Sequence, residues 1–210
     1  MVACVRGGSP SRGSDRALSG VARSVSRTRA TTHQIAGAGL AAVASAAVNA
    51  SATTAAVLVA GACVGSLLPD ADRAGSRVYR PTRFERRVWP ARVLGWFARL
   101  PLRLLVVVKH RGITHSLTAC AVAALGCWLL VSLVVPGAAV TIAAGVAIGY
   151  LAHVAADACT PSGVALFAPV SSRRRWLLPS PARIPTGSAR ELLVAVTIAA
   201  AAVMATVVLA

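Results

Sequence analysis

The sequence predicts an all-α protein: a multi-pass transmembrane bundle of about five helices, with one amphipathic segment lying in the membrane interface. Three observations carry this. Hydrophobic residues make up 56% of the 210-residue chain and charged residues only 13%, outside the usual range of a soluble domain. The apolar residues gather in five runs, the last three each near the ~20 residues that cross a bilayer. Arginines stand in blocks between the runs, as they do in cytoplasmic membrane loops. Aromatics are only 4%, so Ala, Val and Leu dominate, which suits packed membrane helices better than a soluble core.

Taken in order, residues 1–31 are rich in Ser, Gly and Arg without apolar periodicity and read as a disordered basic tail. The remainder, 32–210, reads as one membrane-embedded domain. Run 34–50, "QIAGAGLAAVASAAVNA", has a signal peptide as its rival reading, because "AAVNASA" offers small residues for cleavage. A second run at 53–68 follows after a short polar break, which favours a helical hairpin. Runs 116–135, 138–157 and 191–210 complete the set. Gly61-x-x-x-Gly65 and Gly145-x-x-x-Gly149 have the spacing that lets helix backbones approach closely. Residues 84–108 tempt a further crossing. However, Arg99 and Arg103 would each cost about 2.5–3.5 kcal/mol near the bilayer centre, and Pro101 is expected to interrupt a helix. With Trp89, Arg92 and Trp96, this stretch suits the interface instead. The five cysteines show no paired spacing, so neither a disulfide framework nor a zinc knuckle is expected.

The net charge of +16 raises nucleic acid as a partner, but its distribution in loops argues for membrane lipids, and no nucleic acid is expected. Nearly all arginines fall in the tail, in 69–115 and in 158–190, while the connections at 51–52 and 136–137 hold none. The inside-positive bias then puts the N-terminus and both large loops in the cytoplasm and the C-terminus outside.

On that topology the reactive residues converge. His33 opens helix 1; Asp70 and Asp72, in "LLPDAD", follow helix 2; His110 and His115, in "HRGITHS", precede helix 3; His153 and Asp157 occupy the last turn of helix 4. These are all four histidines of the chain and three of its six acids, all at the cytoplasmic mouth. His153 and Asp157 are i and i+4, one helix face. Asp70 and Asp72 are i and i+2, so an extended turn after Pro69 would point both carboxylates one way. Gly112 would let the chain between His110 and His115 fold back. Imidazole and carboxylate suit a divalent metal ion, zinc first and manganese or iron next, and mixed sets can hold two such ions. Asp157 and Asp70 sit at the negative poles of their helices, a conflict that a cation would relieve. His33 and His115 sit at positive poles, which favour neutral imidazole.

Blander readings compete. A lone histidine beside a membrane helix is more often an interfacial polar residue; Asp72 could cap a turn, and Thr114 or Ser116 could cap helix 3. Arg111 and Arg173–Arg175 could serve only the inside-positive bias or touch anionic lipids. For His153 with Asp157 the balance tips towards function, because ionisable groups within a transmembrane run are costly.

At these residues the chain resembles the YdjM-like (LexA-regulated) inner-membrane-associated metal-dependent hydrolase family of bacteria. The matching stretches are "TH" at 32–33, "GSLLPDAD" at 65–72, "HRGITHS" at 110–116, "GYLAHVAADACTPSGVALFAP" at 149–169 and "PTGSARE" at 185–191. The resemblance implies a multi-pass inner-membrane protein with a metal-dependent hydrolase site formed by His33, Asp70, Asp72, His110, His115, His153 and Asp157. Thr160 and Glu191 match motif positions of less defined role. The chain departs from the pattern in its Arg-rich tail and in Cys159, where a non-thiol residue is expected. The expectation is therefore an integral membrane hydrolase acting on an anionic or lipid-linked phosphate ester, with Asp72 as general base and Arg111, in the arginine-rich rim, assigned to the reaction. Its rivals are a transporter using the same cluster as a binding station, and a non-catalytic membrane scaffold. Flux without hydrolysis would favour the first; absence of stoichiometric transition metal would favour the second.

Overall fold

The computed structural model describes residues 31–73, 76, 79–103 and 111–209. The basic tail through residue 30 and the stretch 104–110, which includes His110, lie outside the described residues. The chain forms α1 (residues 31–47), α2 (Ala52–Gly65), α3 (Arg83–Arg87), α4 (Trp89–Arg103), α5 (Leu117–Ser132), α6 (Pro136–Ala158) and α7 (Ala189–Leu209). Short 3-10 turns at Pro69–Asp72, Ile113–His115 and Ser180–Ala182 join them. Among the described residues there is no strand, only an isolated antiparallel bridge between Val164 and Arg175. Among the described residues, three helical stretches are long and apolar enough to cross a membrane: Ala52–Asp72, Pro136–Ala158 and Ala189–Val208. Leu117–Ser132 is apolar but shorter.

Local chemistry fixes the ends. The Ser51 hydroxyl accepts from the Thr54 amide at 3.2 Å and starts α2, while the Ser116 hydroxyl accepts from Ala119 at 3.1 Å and starts α5. Both satisfy amides that a first turn leaves without partners. Of the two expected caps for the helix at 117, Ser116 is the one used. Pro136 opens α6 at a position where its missing N–H costs nothing. At the far end of α6, the Leu177 and Ile184 amides donate to the carbonyls of Ala158 and Cys159, each at 3.0 Å. The loop 159–184 therefore closes that helix terminus. Its own turn is held by Val164 and Arg175, which exchange amide bonds of 3.1 and 2.8 Å.

The glycine spacings of the sequence meet each other. A Cβ on Gly61 would lie 2.7 Å from the Ile142 carbonyl and 3.2 Å from Gly145 Cα, and one on Gly149 would run into the backbone of Ala62. Gly37 of α1 joins the same crossing, with room for a Cβ only at 3.2 Å from Gly149 Cα and 3.3 Å from the Ala62 carbonyl. Backbone thus packs on backbone where α1, α2 and α6 cross, which side chains larger than hydrogen would prevent. α5 packs on the other side of α6 through Cys120, Tyr150, Val154 and Ala158, with Val164 and Leu68. α7 leaves Leu193, Val203 and Val207 more than 60% exposed, and α5 does the same with Leu130, an apolar surface suited to lipid rather than water.

The interfacial segment differs in detail from the sequence expectation. It is two helices, and the break falls at extended Val88 rather than at Pro101, which lies inside the last turn of α4. A proline near a helix end forfeits one ladder bond, and Pro90, in the first turn of α4, forfeits none. Thr82 and Glu85 form a reciprocal capping box on α3. One Arg99 nitrogen donates to both Glu85 oxygens at 2.6 and 2.8 Å, so that arginine enters the apolar segment paired. The Thr82 amide, and then Arg99, hold the Glu85 carboxyl below the usual carboxylate range. Trp89 and Trp96 are exposed, as interfacial aromatics are.

The crossing makes a definite prediction. Gly149→Ala should destabilise the protein by about 1–3 kcal/mol or more through overpacking. Gly126→Ala in α5, where a Cβ meets nothing within 4 Å, should be neutral or stabilise by up to about 1 kcal/mol through helix propensity. Thermal unfolding midpoints in detergent compare the two; equal behaviour would contradict the tight crossing.

Candidate metal centre

The crossing aligns what lies one turn beyond it. His33 precedes Gly37 by four residues, His153 follows Gly149 by four, and Ser66 follows Ala62 by four, so each stands one helical turn from the junction. His33 and His153 stack with ring centroids 4.0 Å apart, and His115 meets His153 edge-on at 5.3 Å. All three rings are buried, as is Asp157, and His115 is 0% exposed.

Two rings have their tautomers set by neighbours. His153 Nδ1 lies 2.6 Å from the Ser66 carbonyl; a carbonyl only accepts, so Nδ1 carries the proton and Nε2 the lone pair. That Nε2 has no hydrogen-bond partner among the described residues, and it lies 3.8 Å from Asp157 Oδ2 and 4.0 Å from Asp70 Oδ1. The Thr114 hydroxyl donates its one proton to Asp72 Oδ2 at 2.7 Å and stands 3.1 Å from His115 Nδ1. It can therefore only accept from that nitrogen, and His115 Nε2 points at Asp157 Oδ2, 3.2 Å away. His33 Nε2 lies 3.9 Å from Asp157 Oδ1.

Nitrogen lone pairs facing carboxylates are repulsive unless a cation stands between them. Ligand bonds of about 2.1 Å to N and O place two donors of one ion at most about 4.2 Å apart, and each of these nitrogen–oxygen separations falls within that limit. Two donor groups result, His33–His153–Asp157 and Asp70–His115–His153, each with ligand atoms within 4.8 Å of one another. His153 offers only Nε2, because Nδ1 is engaged, and one imidazole lone pair binds one ion. The two groups therefore compete for that nitrogen, and each fits a divalent metal of the zinc, manganese or iron kind.

Five of the seven residues predicted as ligands lie here, His33, Asp70, His115, His153 and Asp157, while His110 lies outside the described residues. Asp72 stands apart. Its side chain is 0% exposed, it belongs to neither donor group, and its oxygen faces the far nitrogen of His115 at 3.7 Å. The reason is the turn: Pro69–Asp72 is a 3-10 helix with proline in its first turn, not the extended segment expected, so Asp70 and Asp72 diverge. Asp70 keeps its side chain 20% exposed. The fold-back at 111–115 also differs from expectation. Gly112 has φ −90°, and the left-handed residue is Arg111, φ +60°, a conformation rarely held by a non-glycine residue outside constrained sites. It aims the guanidinium inward: one nitrogen donates to Asp157 Oδ1 at 2.6 Å, another to the Thr160 hydroxyl at 3.0 Å. Thr160 in turn donates to the Asp157 carbonyl at 2.7 Å.

Glu191 has a bracing position. It accepts from the Thr32 hydroxyl at 2.7 Å and from the Gly187 amide, tying the start of α7 to the residue beside His33. The arginine-rich rim is partly structural: Arg174 donates to the Ser162 and Gly163 carbonyls, and Arg183 stacks on Trp176 at 4.5 Å. Ser66, Tyr150 (whose hydroxyl donates to the Thr114 carbonyl at 2.5 Å) and the relay role of Thr114 were not singled out from sequence. Ser66 acts through its backbone, which leaves no side-chain signal; Thr114, adjacent to His115, could have been noticed.

Fold and centre together define an all-helical membrane protein with a buried histidine–aspartate site at one end of its bundle. A family model described as YdjM inner membrane protein matches residues 29–210. The chain belongs to the YdjM inner membrane protein family. No curated protein and no solved structure matches it.

If Asp72 orients His115 through Thr114, Asp72→Asn should lower metal affinity by about 10–100-fold while leaving the helical content unchanged. Competition with a chromophoric chelator measures this, and unchanged affinity would remove that role.

Proposed function

We propose that this protein is a multi-pass inner-membrane hydrolase that uses a divalent metal ion, zinc foremost, to cleave an anionic, lipid-linked phosphate ester. The N-terminus and the centre face the cytoplasm and the C-terminus faces outside, in keeping with arginine blocks that flank the centre and are absent from the opposite connections. One observation carries the reading: imidazoles and carboxylates from α1, α6, the Pro69–Asp72 turn and the Ile113–His115 turn meet in a buried cluster whose lone pairs face one another. A fold does not gather such groups at a membrane boundary for stability, because each is costly to bury.

His33, Asp70, His115, His153 and Asp157 would hold the ion, which when bound supplies Lewis acidity to the ester and acidifies water. The remaining work falls to the chain. Asp72 and Thr114 keep His115 in one tautomer, and the Ser66 carbonyl does the same for His153. That makes Asp72 a positioning residue rather than the base expected from sequence. Asp70 has the most open carboxylate of the set; with one oxygen on the ion, its other oxygen would accept the proton of the attacking water and pass it to solvent. Arg111, held on Asp157 and Thr160, would add positive charge beside a bound phosphate.

Elemental analysis of detergent-purified protein tests the centre without knowledge of the substrate. Wild type should carry a stoichiometric divalent metal, and His153→Ala and Asp157→Ala should each lose it by about tenfold or more. Phosphate release from phosphatidic acid vesicles should fall in parallel. Full metal content and activity in both variants would overturn the assignment.

A further inference from the structure

A cavity of about 600 Å³ opens between α1, α6 and α7, a volume typical of ligand sites. His33, Thr160 and Glu191 line one end; Val43, Ile198 and Ala205 line the other. The polar end therefore shares His33 with the metal centre, and Thr160 there accepts from Arg111 at 3.0 Å. From His33 to Val43, α1 rises about 15 Å at 1.5 Å per residue, half of the ~30 Å hydrocarbon thickness of a bilayer. The crevice thus spans one leaflet, apolar along its length, with His33 of the metal centre at its head. Alanine is the commonest residue of its walls, and larger side chains at those positions would narrow it.

We infer that the crevice between α1, α6 and α7 binds one acyl tail of a phosphate-bearing membrane lipid and brings its head group to the metal centre. The chemistry at the head group rests on the hydrolase reading, but the binding itself does not require turnover. A water-soluble phosphate ester would leave the apolar walls bare, and a neutral lipid would bring no anion to a divalent ion held at His33. Ala201 is exposed at the crevice wall and Ala202 is buried in it, while Val203 faces outward, 62% exposed.

The test reconstitutes the full chain in phosphatidylcholine vesicles containing a trace of phosphatidic acid with a diazirine in one tail. After irradiation, labelled residues are mapped by mass spectrometry and the metal content of the same samples is measured. Label should concentrate on residues 36–43 and 194–205. Ala202→Phe should lower it by about tenfold, the loss expected when roughly two methylenes can no longer be buried. Val203→Phe should leave it unchanged, and all variants should retain their metal. Should Ala202→Phe not fold, Ala201→Phe, at an exposed position, should give the same loss. Diacylglycerol with the same tail should label the crevice several-fold less. The proposal is overturned if crevice label matches that on lipid-facing Leu130, if it survives both phenylalanine variants, if diacylglycerol labels equally, or if cross-links show a second copy of the chain in the crevice. Metal without selective label would sink the lipid site and spare the hydrolase reading; selective label without metal would do the reverse.

Discussion

The close crossing of α1, α2 and α6 is the constraint on which the remainder depends. Gly37, Gly61, Gly145 and Gly149 remove the side chains that would hold three backbones apart, and one turn beyond that contact stand His33, Ser66 and His153. Helix–helix packing in lipid has little hydrophobic force behind it, so small residues and close dispersion contacts must supply the attraction. Here the same contact sets the positions of two imidazoles and the carbonyl that orients one of them. Packing and chemistry share a single geometric cause.

Around that junction the site is completed by segments that the membrane helices do not themselves provide. The turn after α2 presents Asp70 and buries Asp72; the turn before α5 presents His115; the loop after α6 supplies Thr160 and closes the helix end with the amides of Leu177 and Ile184.

Much of this was legible in the sequence. Five apolar runs became α1, α2, α5, α6 and α7 with shifts of a few residues, and the two GxxxG spacings found each other. Of the histidines and aspartates placed at helix ends by the sequence, His33, Asp70, His115, His153 and Asp157 lie close together in space, because antiparallel neighbours bring their termini together. What the sequence concealed lies below the level of residue type. Whether Pro69 begins an extended turn or a 3-10 turn decides whether two aspartates act together, and spacing alone carries no such information. The positive φ of Arg111 is imposed by the contacts of its guanidinium with Asp157 and Thr160, which are distant in the chain. The crevice beside α7 is a property of which alanines face inward, something a nearly uniform run of Ala and Val does not reveal.

The hydrogen bond from His153 to the Ser66 carbonyl has a mechanical consequence. Because the ring belongs to α6 and the acceptor to the end of α2, the imidazole has no orientation independent of how those helices slide. A bilayer whose thickness tilted the 14-residue α2 would therefore also turn the His153 ring within the cluster.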